Sequence, residues 1–157
     1  MFDQIHGLPV HALVLHVAVV FVPLLALGAI VYAVVPRWRP RIGWAVAALA
    51  VVTPITCYVT KESGEKLYDR TVAQGMKGKP LDELNKHMSF GTHTFWWVLG
   101  LGVFTLIMVL LTWGTRSLPM IASAAGSVVM VVLAVIAGYY VYRTGDSGAT
   151  VVWNPQG

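Results

Sequence analysis

Four apolar runs constrain this chain more than any other feature: Val10–Val35, Ile42–Val59, Phe95–Trp113 and Met120–Val141 contain no Lys, Arg, Asp or Glu. Each has the roughly 17–25 residues that a helix needs to cross the hydrocarbon core of a bilayer. Across the 157 residues, 57% are hydrophobic and 11% charged, whereas a soluble domain carries about 25% charged residues. That balance excludes a soluble globular domain, a disordered tail and a nucleic-acid-binding module. The predicted fold is a single domain over 1–157, an all-α integral membrane protein built as an antiparallel four-helix transmembrane bundle. No Lys or Arg precedes the first run, which also lacks a small-residue cleavage site, so it reads as a retained helix and not as a leader. The single cysteine, Cys57, lies inside an apolar run; it excludes an intrachain disulfide or a multi-cysteine metal motif and reads as a small buried hydrophobe.

The short connections carry the topological signal. Pro36-Arg37-Trp38-Arg39-Pro40-Arg41 holds three arginines and no acid, and Gly114–Pro119 holds Arg116. The long connection, 60–94, mixes six basic with five acidic residues. Basic short loops stay in the cytoplasm, which puts both termini outside a plasma (inner) membrane. The long connection reads as partly helical, with an amphipathic segment over Glu62–Ala73, a break at Gln74–Lys79 and a new helix from Pro80 that continues into the third span. Pro23 and Pro54 lie within spans and predict kinks. Ala122/Gly126 and Ala134/Gly138 have the small-xxx-small spacing of closely packed membrane helices.

Five histidines point toward function. His6, His11 and His16 lie at the start of span one, and His87 and His93 at the start of span three. In an antiparallel bundle these starts share one face, which the arginine count makes the outer one. His16 stands roughly 9 Å inside an apolar run, where an ionisable group usually faces the interior with a partner. His11 and His16 are about 140° apart around their helix, so one site would take one histidine from each helix. Haem b needs two axial imidazoles and apolar walls. A divalent transition metal needs three or four ligands, for which His11, His16, His87 and Glu65 are candidates. The preferred axial pair is His16 with His87, with His11 and His93 as substitutes. Gly64 is read as breaking the helix where it leaves the membrane, so that Glu65 turns back toward the imidazoles.

The motifs also resemble a known family. Leu8-Pro9-Val10-His11-Ala12-Leu13-Val14-Leu15-His16 is similar to the L-P-x-H-P-L-x-x-H opening of the four-helix membrane family called domain of unknown function 2231. Ser63-Gly64-Glu65, His87 with Gly91, and Gly145-Asp146-Ser147-Gly148-Ala149 before Trp153 follow in that family's order. Ala12 replaces a proline and Asp146 a histidine, which passes any ligand role at 146 to a carboxylate. The resemblance implies no settled activity. Relatives fused to iron–sulfur or cytochrome-like modules imply respiratory redox work.

Three functions are therefore open. The first is a redox or respiratory accessory protein with a histidine-lined haem or metal site near the outer face, partnered by the bilayer and by other subunits of a respiratory complex. The second is a cofactor-free structural or interaction subunit of a larger membrane complex. The third, a small-substrate enzyme, lacks a nucleophile–base arrangement.

The orientation has a direct test. A Lys77→Cys variant should react with a membrane-impermeant maleimide in intact cells. Labelling only after lysis would invert the topology.

Overall fold

The computed structural model describes residues 4–5, 8–114 and 118–154. His6 lies outside them. A two-residue antiparallel pairing of Gln4–Ile5 with Leu8–Pro9 precedes four helices: α1 (Val10–Val34), α2 (Arg39–Ala73), α3 (Lys79–Leu111) and α4 (Met120–Trp153). All four are long and apolar enough to cross a membrane. The fold is an all-helical membrane bundle.

Helix boundaries follow from local chemistry. Pro40 and Pro80 sit in the first turns of α2 and α3, where a missing N–H costs nothing. Asp82 stands near the positive N-terminal end of α3. Gly75, at φ 95°, ends α2 in a Schellman motif, with its N–H on the Val72 carbonyl at 3.0 Å and that of Met76 on the Thr71 carbonyl at 3.3 Å. Only residues 74–78 interrupt the helices between Arg39 and Leu111. The connection after the second apolar run is therefore helix, not loop. Over 60–73, α2 continues roughly 21 Å past its apolar run. It pairs there with the start of α3, where Tyr68 Oη donates to Asn85 Oδ1 at 2.8 Å. Pro23 and Pro54 are accommodated within continuous helices.

Each helix packs against its sequence neighbours, and α1 closes the ring against α4, leaving α1 and α3 on a diagonal. The starts of α1 and α3 lie with the ends of α2 and α4 at one end of the bundle, as His11 beside Ser63 and His87 beside Ser147 show. At the opposite end Tyr32 Oη and Thr112 Oγ1 hydrogen-bond at 2.7 Å across the diagonal.

The core is rich in small side chains. Ala18, Ala26, Ala29, Ala33, Ala50, Ala134 and Ala137 are buried with Val22, Leu25, Tyr32, Val98, Leu101 and Met130. Leu24, Leu27, Ile55, Leu110 and Val135 face outward instead. Lipid tails are as apolar as leucine, so small residues that let backbones approach gain dispersion contacts that larger ones would prevent. The small-residue pairs of α4 are used selectively. Gly126 and Ala134 are buried, while Ala122 is exposed and Gly138 borders open space.

The backbones of α2 and α3 approach each other closely at Gly102. Pro54 lacks the N–H that would bond the Ala50 carbonyl, and Gly102 lies against both residues. A Cβ there would fall 2.6 Å from the Ala50 carbonyl oxygen and 2.7 Å from Pro54 Cγ. Gly102→Ala should therefore cost about 1–3 kcal/mol through backbone displacement, read as a lower unfolding temperature in detergent. Gly138→Ala, with no atom within 4 Å of the new methyl group, should leave that temperature unchanged or raise it. Equal effects of the two would refute the close contact.

Candidate functional site

At the histidine end, the start of α1 lies beside the end of α2. His11 Nδ1 is 3.0 Å from the Thr60 carbonyl oxygen and 3.4 Å from Ser63 Oγ, and Ser63 Oγ itself donates to the Thr60 carbonyl at 2.9 Å. A carbonyl only accepts, so Nδ1 carries the proton, and the neutral ring keeps a lone pair on Nε2. Gly64, buried in α2, makes room for the ring: a Cβ there would lie 3.0 Å from His11 Cε1.

The same device recurs between α3 and α4. His87 Nδ1 is 3.1 Å from the Thr144 carbonyl oxygen and 3.2 Å from Ser147 Oγ, and Ser147 Oγ donates to the Thr144 carbonyl at 3.0 Å. Gly148 lies against this ring as Gly64 does against the first, its Cβ position 2.9 Å from His87 Cε1. The chain thus holds two copies of one arrangement: Leu8-x-x-His11 with Thr60-x-x-Ser63-Gly64, and Leu84-x-x-His87 with Thr144-x-x-Ser147-Gly148. Thr60, Ser63, Thr144 and Ser147 do not stand out on residue type alone. The repeated Thr-x-x-Ser-Gly, one copy just past the apolar run of each even-numbered helix, is the signal that locates them.

The two copies face each other. The half-buried rings of His11 and His87 meet across the diagonal with centroids 6.5 Å apart and planes at 83°. Below the His87 ring, Thr94 Oγ1 and Thr144 Oγ1 hydrogen-bond at 2.7 Å and tie α3 to α4.

The other candidate residues stand elsewhere. His16 is exposed on the outer surface of α1, its Nδ1 2.6 Å from the Ala12 carbonyl of its own helix. His93 is likewise exposed, bonded to the Ser89 carbonyl at 2.8 Å and stacked on Tyr140 with centroids 5.3 Å apart. The anticipated pairing of His16 with His87 is thus replaced by His11 with His87. Helical periodicity decides this: five residues beyond His11, the ring of His16 points about 140° away. Glu65 also differs from expectation. Gly64 does not break α2, so Glu65 stays on the helix surface and pairs with Lys61 at 2.6 Å. This i,i+4 ion pair is largely solvated and worth about 0–1 kcal/mol. Asp146 is exposed on α4. Among the described residues no group of three or more His, Cys, Asp or Glu side chains is placed to hold a metal ion.

Equivalence of the two locks can be tested by stability. Ser63→Ala and Ser147→Ala should each lower stability by about 0.5–1.5 kcal/mol, because the carbonyl remains as the principal acceptor of Nδ1. The loss should be larger at Ser147, which is buried. Chemical denaturation in mixed micelles provides the measurement. A loss above about 3 kcal/mol at either site would show that the hydroxyl, and not the carbonyl, holds the ring.

The architecture and motifs agree with comparison to known proteins. A family model described as a predicted membrane protein (DUF2231) matches residues 7–156. No curated protein and no solved structure matches the chain. The match takes in both histidine locks and all four helices: the chain belongs to the DUF2231 family of membrane proteins.

Proposed function

We propose that this protein is a redox or respiratory accessory protein of the plasma (inner) membrane, holding one metal centre, foremost the iron of haem b, between His11 and His87. The observation that carries this reading is the separation of the two rings. A metal ion held by Nε2 of both His11 and His87, about 2.0–2.1 Å from each nitrogen, would require ring centres no more than roughly 6.5 Å apart. The observed separation is 6.5 Å. Both rings also donate Nδ1–H to a main-chain carbonyl, the outer-shell contact that orients a metal-binding imidazole and leaves Nε2 as the donor atom.

Ligand count favours haem over a bare ion. His11 and His87 would supply the two protein ligands that a haem iron takes, whereas a tetrahedral ion would need two donors more. The diagonal position of α1 and α3 supports the same choice, since these helices share few direct contacts that a macrocycle would have to displace. The protein's part would be to orient both rings, hold their tautomers and set the polarity around the iron, while the iron supplies one-electron transfer. On this reading the histidine end faces outward, by the arginine placement at the other end, and electrons pass to or from a neighbouring subunit at the outer face.

The cofactor-free reading has its own support. Each ring is already tied to its neighbouring helix, and a pair of such locks would strengthen a purely structural bundle. Absorption spectra of the detergent-purified protein, oxidised and reduced and prepared with haem supplied, separate the two. The expected result is a Soret band with split visible bands, lost in both His11→Ala and His87→Ala and retained in His16→Ala. His11→Gln and His87→Gln should lose it too, because an amide does not replace the imidazole nitrogen on iron. A wild type with no haem and no stoichiometric metal by elemental analysis would overturn the metal reading and leave the structural one.

A further inference from the structure

The two ends of the bundle carry very different charge. All seven carboxylates, from Asp3 to Asp146, belong by sequence position to the histidine end, together with seven of the eleven lysines and arginines. That end is neutral overall. The remaining four, Arg37, Arg39, Arg41 and Arg116, lie by sequence position at the other end, with no acid among 35–46 or 111–127. The formal net charge of +4 is therefore wholly at one end.

A cleft opens within this unbalanced charge. It has a volume of about 220 Å³ and is lined by Arg39, Thr112 and Ser123, with Pro36, Gly114 and Leu118 at its sides. Since liquid water occupies about 30 Å³ per molecule, the cleft has room for a group the size of a phosphate. The Arg39 guanidinium is half-buried in it, its Nε–H on the Tyr32 carbonyl at 3.0 Å and its Nη2 on the Ala33 carbonyl at 3.3 Å. Its Nη1 reaches Ser123 Oγ at 3.5 Å. These contacts steady the side chain at the negative end of α1. They leave two of the five guanidinium N–H groups unused. No carboxylate pairs with it among the described residues.

The position of the cleft selects the kind of anion. Arg39 precedes the apolar run beginning at Ile42 by three residues, roughly 4.5 Å along the helix, and so stands at headgroup depth. Trp38 and Trp113 are exposed at the same end, in the manner of interfacial aromatics. We propose that this cleft binds the phosphate of an anionic phospholipid, held by the free N–H groups of Arg39 and by the hydroxyl of Ser123, with the surrounding arginines favouring a headgroup of net negative charge.

The test uses the full-length protein, delipidated in neutral detergent and titrated with phosphatidylglycerol, with bound lipid read by native mass spectrometry. The expected result is one tightly retained phosphatidylglycerol per chain and at least tenfold weaker retention of phosphatidylcholine. Arg39→Gln should weaken phosphatidylglycerol binding tenfold or more. Arg41→Gln, which removes the same charge from an exposed position, should weaken it twofold or less. Ser123→Leu fills the cleft while leaving the carbonyl bonds of Arg39 in place, so its loss of binding tests the site even if Arg39→Gln does not fold. Equal effects of the two arginine substitutions, equal retention of the two lipids, or full binding by Ser123→Leu would each overturn the site. Displacement of the lipid by millimolar inorganic phosphate would overturn the lipid as its occupant and assign the cleft to free phosphate.

Discussion

Inside a bilayer the hydrophobic effect does not press helices together, and the rest of this structure depends on that constraint. Its helices must be held by close packing and by a few polar contacts. The close packing comes from alanines and glycines along the inner faces, most sharply where Gly102 meets the carbonyl freed by Pro54. The polar contacts concentrate near the two ends. Tyr32 with Thr112 and Arg39 with the last carbonyls of α1 join one end; the histidine locks and the Thr94–Thr144 bridge join the other. Between them, Thr53 and Thr105 are fully buried with hydroxyls that have no hydrogen-bond partner among the described residues. Polar groups without partners are costly to bury, which marks the bundle centre as an exception within an otherwise apolar interior.

The histidine locks show how one contact can serve the fold and, on the proposed reading, a site as well. A proton on Nδ1 bonded to a carbonyl ties helix to helix and at the same time presents Nε2 as a donor atom. Glycine at positions 64 and 148 makes room for this, because a Cβ there would come within 3.0 Å of each ring's Cε1 and the ring would have to shift. The exposed histidines lack this arrangement. His16 and His93 bond carbonyls of their own helices, so they cross-link nothing by that bond, although His93 also stacks on Tyr140 of α4. Two histidines of each odd-numbered helix have thus diverged in environment, one toward the centre and one toward the lipid or a neighbouring protein.

The division of charge gives the ends separate chemistry. By sequence position the histidine end holds compensating acids and bases, many of them on the parts of α2 and α3 that project beyond the apolar runs, whereas the arginine end has no acid.

The apolar runs by themselves determined the class, the number of spans and the shared face of the histidines, because a charge-free run of membrane length has one stable solution in lipid and antiparallel connection does the rest. The family was legible too, from motifs carried in order along nearly the whole chain. Residue spacing also showed that His11 and His16 diverge, but it did not say which of the two turns inward. Tertiary structure decided that by placing Thr60, Ser63 and Gly64 opposite His11 and leaving His16 on the outside. It likewise decided that Gly64 continues α2 and that Glu65 stays at the surface, because a glycine inside a long helix costs about 1 kcal/mol, too little to break it against packing. The meeting of His11 with His87 joins two segments far apart in the chain, and no local pattern encodes which pair of rings lies on the diagonal of a bundle.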